Sequence, residues 1–360
     1  MTTAVLSHSL FILTLVGLWR PIDWRGWKSL LYNSYTYFVA FANFAFILTE
    51  LVDIVTNSSS VNDLTNGLTK IMGQLGAFGK VVGIMLNRKM ILQGIKLLEL
   101  KPFKLEDQDE KNIILKSYIT FLYLAVFTIG ALGILSSQMS VMEFPDVLPY
   151  RAWFPYNYSK PILFQTTAAF QLFTFFIGAY VHVAFDTLFL RMMLCVVVQI
   201  SVLEHRLEII ISSMKKLVTN NINLSKDEVN TGDMLIEEWS IFLQYCLSST
   251  QICVSVYTIS NVPFLSGVFM SEVPFLIGTI MQIFLLCISA HHVTLEFDDL
   301  NYSVYSVEWF DLNTYLQKSI SIIISKTMKP VIFKSGYFVT LSLESFKQVM
   351  KLSYSIYNLL

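Results

Sequence analysis

PILFQTTAAFQLFTFFIGAYVHVAFDTLFLRMMLCVVVQISVLEHRLEII, residues 161–210, runs 50 residues with no helix breaker after its opening proline. At 1.5 Å per residue such a helix is about 75 Å long, more than twice the roughly 30 Å hydrocarbon core of a bilayer. The first half, 161–185, is apolar enough to cross a membrane. The second half carries Arg191, Glu204, His205, Arg206 and Glu208, so it projects as an amphipathic extension into water. This predicts an all-α membrane protein whose long helices continue into a cytoplasmic anchor.

Composition agrees. The chain has 360 residues, 54% hydrophobic and 14% charged, against about 45–50% and about 25% for soluble domains. A net charge of -1 with basic residues spread through the chain excludes nucleic acid as a partner. Cys195, Cys246, Cys253 and Cys287 all sit in apolar runs with no paired spacing, and are expected to be buried thiols. The apolar run 10–18 has no basic residue before it and Trp19-Arg20 after it, so it is expected to be a retained interfacial segment, not a cleaved leader.

Working outward, spanning-length apolar segments fall at 35–55, 68–86, 115–135, 161–185, 240–262, 273–291 and 336–360. That is a single seven-helix unit over 1–360, with an outer bundle at about 35–200 and an anchor plus last helix at about 201–360. The second segment contains Gln74 and Lys80, yet Gly73, Gly76, Gly79 and Gly83 form a small-residue face that lets membrane helices approach closely. Loops on one side hold 14 Lys and Arg against three on the other, Lys70, Arg151 and Lys160. The positive-inside rule then puts the N-terminus in the cytoplasm and the C-terminus outside. Asn57 and Asn157 head sequons in outer loops and are glycosylation candidates, whereas Asn223 and Asn301 fall inside.

A G-protein-coupled receptor has its seven helices the other way up, and no DRY-type or NPxxY-type run is present. No G protein is therefore required. The motifs of hydrolases, metalloproteases and nucleotide-binding enzymes are absent, which leaves no catalytic residue and no cofactor to assign. His291-His292 with Glu296, Asp298 and Asp299 looks metal-like, but adjacent histidines point about 100° apart on a helix, so a helix end or subunit contact is expected. His182 and Asp186, at i and i+4, are expected to share a structural hydrogen bond.

Met72, Leu75, Phe78, Phe127, Gly130, Ile134, Phe173, Phe176, Ile177 and Tyr180 would lie at similar depth in the outer half of the bundle. Large apolar side chains with a hydroxyl and a glycine suit a cavity for a small, volatile or lipophilic ligand. They equally suit plain bundle packing. Before helix 4, the stretch 144–161 holds four prolines among aromatics, which favours a stiff, folded lid.

The end of the chain, GYFVTLSLESFKQVMKLSYSIYNLL, carries a polar stripe. Thr340, Lys347, Gln348, Lys351, Ser355 and Asn358 fall within about 60° of Glu344 on a helix of about 100° per residue. Phe338, Val339, Phe346, Val349 and Met350 fall opposite.

Three stretches resemble the insect odorant receptor family: WFPYNYSKPILFQTTAAFQ at 153–171, SVYSVEWF at 303–310, and IIISKTMKPVIFKSGYFVTLSLESFKQVMKLSYSIYNLL at 322–360. The resemblance implies a ligand-gated, non-selective cation channel of the plasma membrane in olfactory neurons. It implies an odorant pocket among the outer halves of helices 2, 3, 4 and 6, and a tetramer shared with a coreceptor. The stripe residues Thr340, Glu344, Gln348, Lys351, Ser355 and Asn358 would line the pore, with Leu359 near the outer gate. The chain stops at Leu360, before a further apolar residue that a coreceptor carries, and its last helix is more polar, which points to a ligand-tuning subunit. A gustatory receptor of the same architecture, or a transporter, is the alternative. A gustatory receptor's usual end signature and a transporter's broken-helix repeat are both missing.

Overall fold

The computed structural model describes residues 2–21, 24–57, 61–97, 148–216, 235–264, 266–306, 309–311, 314–328, 331–335 and 339–359. The expected helix at 115–135, with Phe127, Gly130 and Ile134, lies outside them, as does Asn223. In chain order the elements are α1 (Thr2–Leu15), α2 (Trp27–Asn57), α3 (Val61–Leu97), α4 (Pro161–Lys216), α5 (Leu235–Asn261) and α6 (Gly267–Ser306). A 3-10 turn (Trp309–Asp311), α7 (Thr314–Thr327), the short strands β1 (Lys334–Ser335) and β2 (Val339–Thr340), and α8 (Leu343–Leu359) complete the chain.

Helix α4 is unbroken over 56 residues, about 84 Å at the α-helical rise. Three of the described helices pass a membrane-span test on length and hydropathy: α2, α4 through residue 209, and α6. Helices α3 and α5 fall short because each carries an inward polar row, Gln74 and Lys80 on α3 and Gln244, Ser248 and Gln251 on α5, all buried. An average over the helix counts those groups, whereas lipid meets only the other faces. The lipid-type face is plainest on α2, where Phe38, Phe41, Phe44, Leu48, Leu51 and Val55 recur at three or four residues and are exposed.

The segment expected at the interface packs on one side against the bundle. Leu13 of α1 and Val16, Leu18 and Trp19 just after it are buried against Val39 of α2, Val81 and Ile84 of α3 and Ile177 and Val181 of α4. Tyr32 donates to the Thr14 carbonyl at 2.8 Å and Tyr35 to that of Leu15 at 3.1 Å. The chain turns between α1 and α2 at Gly17, whose φ of 85° and 2.6 Å spacing from its would-be Cβ to Tyr35 admit only glycine.

The glycine face of α3 works as its spacing predicts. A Cβ on Gly73 would meet Phe275 of α6, one on Gly76 His182 of α4, and one on Gly79 Leu243 of α5. One small-residue stripe thus seats three neighbouring helices. Beyond the bundle, the far half of α4 packs Val197 and Ile200 on Val293, Leu300 and Val304 of α6 and Ile320 of α7. Thr327 of α7 donates to Asn301 of α6 at 3.1 Å.

The last helix differs from expectation. It begins at Leu343 and runs 17 residues, about 25 Å, so the helix predicted over 336–360 is shorter. Thr340 stands on β2, where Lys334 pairs with Thr340 and Ser335 with Val339, and the amide of Leu341 bonds Phe333 at 2.8 Å. The β-branched pair Val339-Thr340 favours the extended form. Ser342 then caps the helix by accepting the Ser345 amide at 3.2 Å.

Candidate functional site: a polar cavity among four helices

A cavity of about 150 Å³ opens between α3, α4, α5 and α6. Its apolar wall includes Met72, Ala77, Phe175, Val183, Leu247 and Phe275. Gly73, Gly76, Gly178 and Gly278 also border it, so backbone forms part of the lining. Pro274, inside α6, borders the space too and removes one N–H from that helix's ladder.

One end of the cavity is a buried ion pair. Lys80 Nζ of α3 donates to Asp186 Oδ1 of α4 at 2.7 Å, and the lysine side chain is fully buried. The same amine contacts His182 Nδ1 at 2.9 Å, while His182 Nε2 lies 3.0 Å from the Gly73 carbonyl. Gln244 of α5 donates to Asp186 Oδ1 at 3.1 Å and Gln282 of α6 to Oδ2 at 2.5 Å. The expected His182–Asp186 bond is thus replaced by a bridge in which Lys80 touches both. Four helices meet at one carboxylate, which receives a charge and two amide donors as a buried ion requires.

The other end holds Glu50 of α2, Lys70 of α3, Tyr150 and Glu272 of α6. Thr69 and Ser255 donate to Glu272 at 3.3 and 3.5 Å. Lys70 Nζ sits 5.3 Å over the Tyr150 ring, so it is a wall residue and not the outer-loop charge the sequence count assumed. Between the two ends, Gln251 donates to Thr279 at 3.0 Å.

Among the described residues of the proline-rich segment, Tyr150 borders this end. Gln171 of α4 grips the backbone of Tyr150, giving its amide to the carbonyl at 2.9 Å and accepting the N–H at 3.1 Å. The Trp153 amide bonds the Thr49 carbonyl at 3.0 Å, and the Tyr150 ring stacks on Phe175 at 5.2 Å. A folded lid was the expectation; these contacts tie Tyr150 to α4 and Trp153 to α2.

Of the described residues expected to form a pocket, Met72 borders the cavity. The others point elsewhere. Phe78 packs on Phe44 at 5.8 Å and Phe173 on Phe38 at 6.3 Å, both toward α2. Ile177 is in the core with α1, Tyr180 is 49% exposed, Phe176 packs edge-on against Phe175 at 6.1 Å and, like Leu75, lies off the lining. The face of α4 that borders the space carries Phe175, Gly178, His182 and Asp186, about 165° round from the aromatic face that periodicity alone singled out. The usable signal was charge: Glu50, Lys80 and Asp186 sit inside or at the edge of apolar segments, and such groups must find partners inside a bundle.

On α8, Glu344, Gln348, Lys351, Ser355 and Asn358 are exposed, as is Thr340 on β2, while Val349 and Ser353 are buried. Val349 packs with Tyr245 and Ile252 of α5 and Ile283 of α6. Glu344 pairs with Lys347 at 3.2 Å, and Leu352 and Tyr354 widen the exposed arc. Leu359 is the last residue of this helix. Cys195 and Cys287 are buried, but Cys246 is exposed, a correction explained by its position between Leu243 and Thr250 on the outward face of α5. Asn57, at the end of α2, and Asn157, in the lid, are both exposed. His292 lies 3.7 Å from Glu296, and among the described residues no group of three acidic, His or Cys side chains is placed to hold a metal.

A membrane-embedded helical bundle with a lidded internal cavity defines a receptor-like protein. The family model described as 7tm Odorant receptor matches residues 60–229 and 236–354, and the chain belongs to that insect family. It is 24% identical to Odorant receptor Or1 of Anopheles gambiae over 390 residues, covering 96% of this chain and 92% of that one. It is 22% identical to Odorant receptor 33a of Drosophila melanogaster over 286 residues, 71% of each. The fold is similar to that of the insect olfactory receptor OR5 of Machilis hrabei, with a TM-score of 0.79 at 16% identity, covering 98% of this chain and 97% of that one. The same receptor in complex with eugenol gives 0.78 at 15% identity over 98% and 96%.

Proposed function

We propose that this chain is the ligand-tuning subunit of a non-selective cation channel in the plasma membrane of olfactory neurons. A small volatile molecule occupies the α3–α6 cavity, as eugenol is bound in a complex of a receptor with a similar fold, with Met72 among its contacts. Binding shifts a closed-to-open equilibrium because the ligand fits the open cavity better. The stripe of Thr340, Glu344, Gln348, Lys351, Ser355 and Asn358 lines the pore beside three other subunits, at least one of them a coreceptor, and Leu359 forms the outer gate. The N-terminus is cytoplasmic, and Asn57 and Asn157 face the outside where glycans attach.

The observation that carries this reading is α8. Its polar side is exposed while its apolar side packs on α5 and α6, and exposed charges on a membrane helix call for an aqueous neighbour. Voltage-clamp recording in cells expressing the chain with a coreceptor tests it. Odorant-evoked inward current is expected, and silence across a broad panel, with both subunits labelled at the surface, counts against the channel.

A further inference from the structure

We infer that the cavity selects a hydrogen-bond donor, specifically a small organic amine bound as its ammonium ion. This rests on the cavity being the ligand site and names the chemistry it takes. Three buried oxygens at the cavity wall have no hydrogen-bond partner: Glu50 Oε2, Gln74 Oε1 and Gln244 Oε1. Their residues are only 4%, 7% and 4% exposed. All three are acceptors. The orphaned donors among the described residues, such as Arg88 Nε and Trp309 Nε1, lie away from this space. A buried acceptor without a donor costs free energy, which a ligand offering N–H groups recovers.

Charge separates an amine from an alcohol. Asp186 is matched by Lys80 at 2.7 Å. At the opposite end two carboxyls, Glu50 and Glu272, face one amine, Lys70. Lys70 acts on both carboxyls, so this end has one amine for two of them; Glu272 also accepts from Thr69 and Ser255, whereas Glu50 Oε2 has no hydrogen bond. An ammonium ion beside Glu50 supplies the missing charge together with N–H donors. A carboxylic acid would add a negative charge beside Glu50, and an aldehyde brings no donor to the three unpartnered oxygens. The volume, about 150 Å³, is below the roughly 300 Å³ where drug-sized pockets begin, which favours a short carbon skeleton.

The test uses the purified full chain in lipid nanodiscs at neutral pH, with binding of hexylamine, hexan-1-ol, hexanal and hexanoic acid measured calorimetrically. Hexylamine is expected to bind tightest, at least about tenfold over the acid and the aldehyde. Glu50→Gln is expected to remove its advantage over hexan-1-ol. Gln74→Met, which removes one acceptor and no charge, is expected to weaken hexylamine binding several-fold, and this arm stands if Glu50→Gln does not fold. Tightest binding by the acid or the aldehyde, or an amine advantage that survives both substitutions, overturns the inference. Binding by none of the four overturns the ligand-site reading and this inference with it, whereas amine-selective binding without evoked current overturns only the channel.

Discussion

Replacing Lys80 with methionine is expected to lower the thermal midpoint of the detergent-solubilised protein by about 6–20 °C and to cut its surface expression. Lys80 is fully buried and 2.7 Å from Asp186, and its loss leaves a carboxylate with only the amides of Gln244 and Gln282. Stranding one member of a buried pair costs about 3–5 kcal/mol, and each kcal/mol is worth about 2–4 °C in a domain of this order of size. The double replacement Lys80→Met with Asp186→Asn should recover most of the loss, because the asparagine oxygen keeps an amide donor and no charge remains. A single variant as stable as the parent would mean that this junction does not hold α3, α4, α5 and α6 together.

The replacement Gly278→Leu separates binding from folding. A Cβ at Gly278 meets nothing within 4 Å, and the residue borders the cavity. A four-carbon side chain there displaces part of any ligand, and each lost methylene contact is worth about 1–3 kcal/mol. The concentration for half-maximal current should rise at least about tenfold. Stability should stay level or improve, since glycine costs about 1 kcal/mol in a helix interior. An unchanged dose–response curve in a stable Gly278→Leu protein would place the ligand elsewhere.

Much of this architecture is written in local patterns. The uninterrupted apolar-then-amphipathic run from Pro161 dictates α4, and the glycines at three-residue spacing dictate where α3 accepts its neighbours. The cavity was less legible, because its wall is set by how helices rotate against one another. Lys80 and Asp186 are 106 residues apart in the chain, and no periodicity within α3 or α4 reveals that their faces meet. Lys70 was misplaced for a related reason: counted by sequence position it is an outer-loop charge, whereas about two and a half turns of α3 precede it. The start of α8 was misjudged because Val339 and Thr340 fit a helical stripe as well as a strand, and only the bond from Leu341 to Phe333 decides between them.

The central claim is that a ligand in the cavity opens a pore lined by the stripe of α8. Its most direct test is the reversal potential of the odorant-evoked current in mixed sodium, potassium and calcium solutions, for the parent chain and for Glu344→Gln and Lys351→Gln, each with a coreceptor. Substitutions that alter a charge on the pore wall are predicted to shift the relative calcium permeability in opposite directions, down for Glu344→Gln and up for Lys351→Gln. Identical reversal potentials in all three, at equal surface expression, would contradict the account and make the stripe a seam between helices.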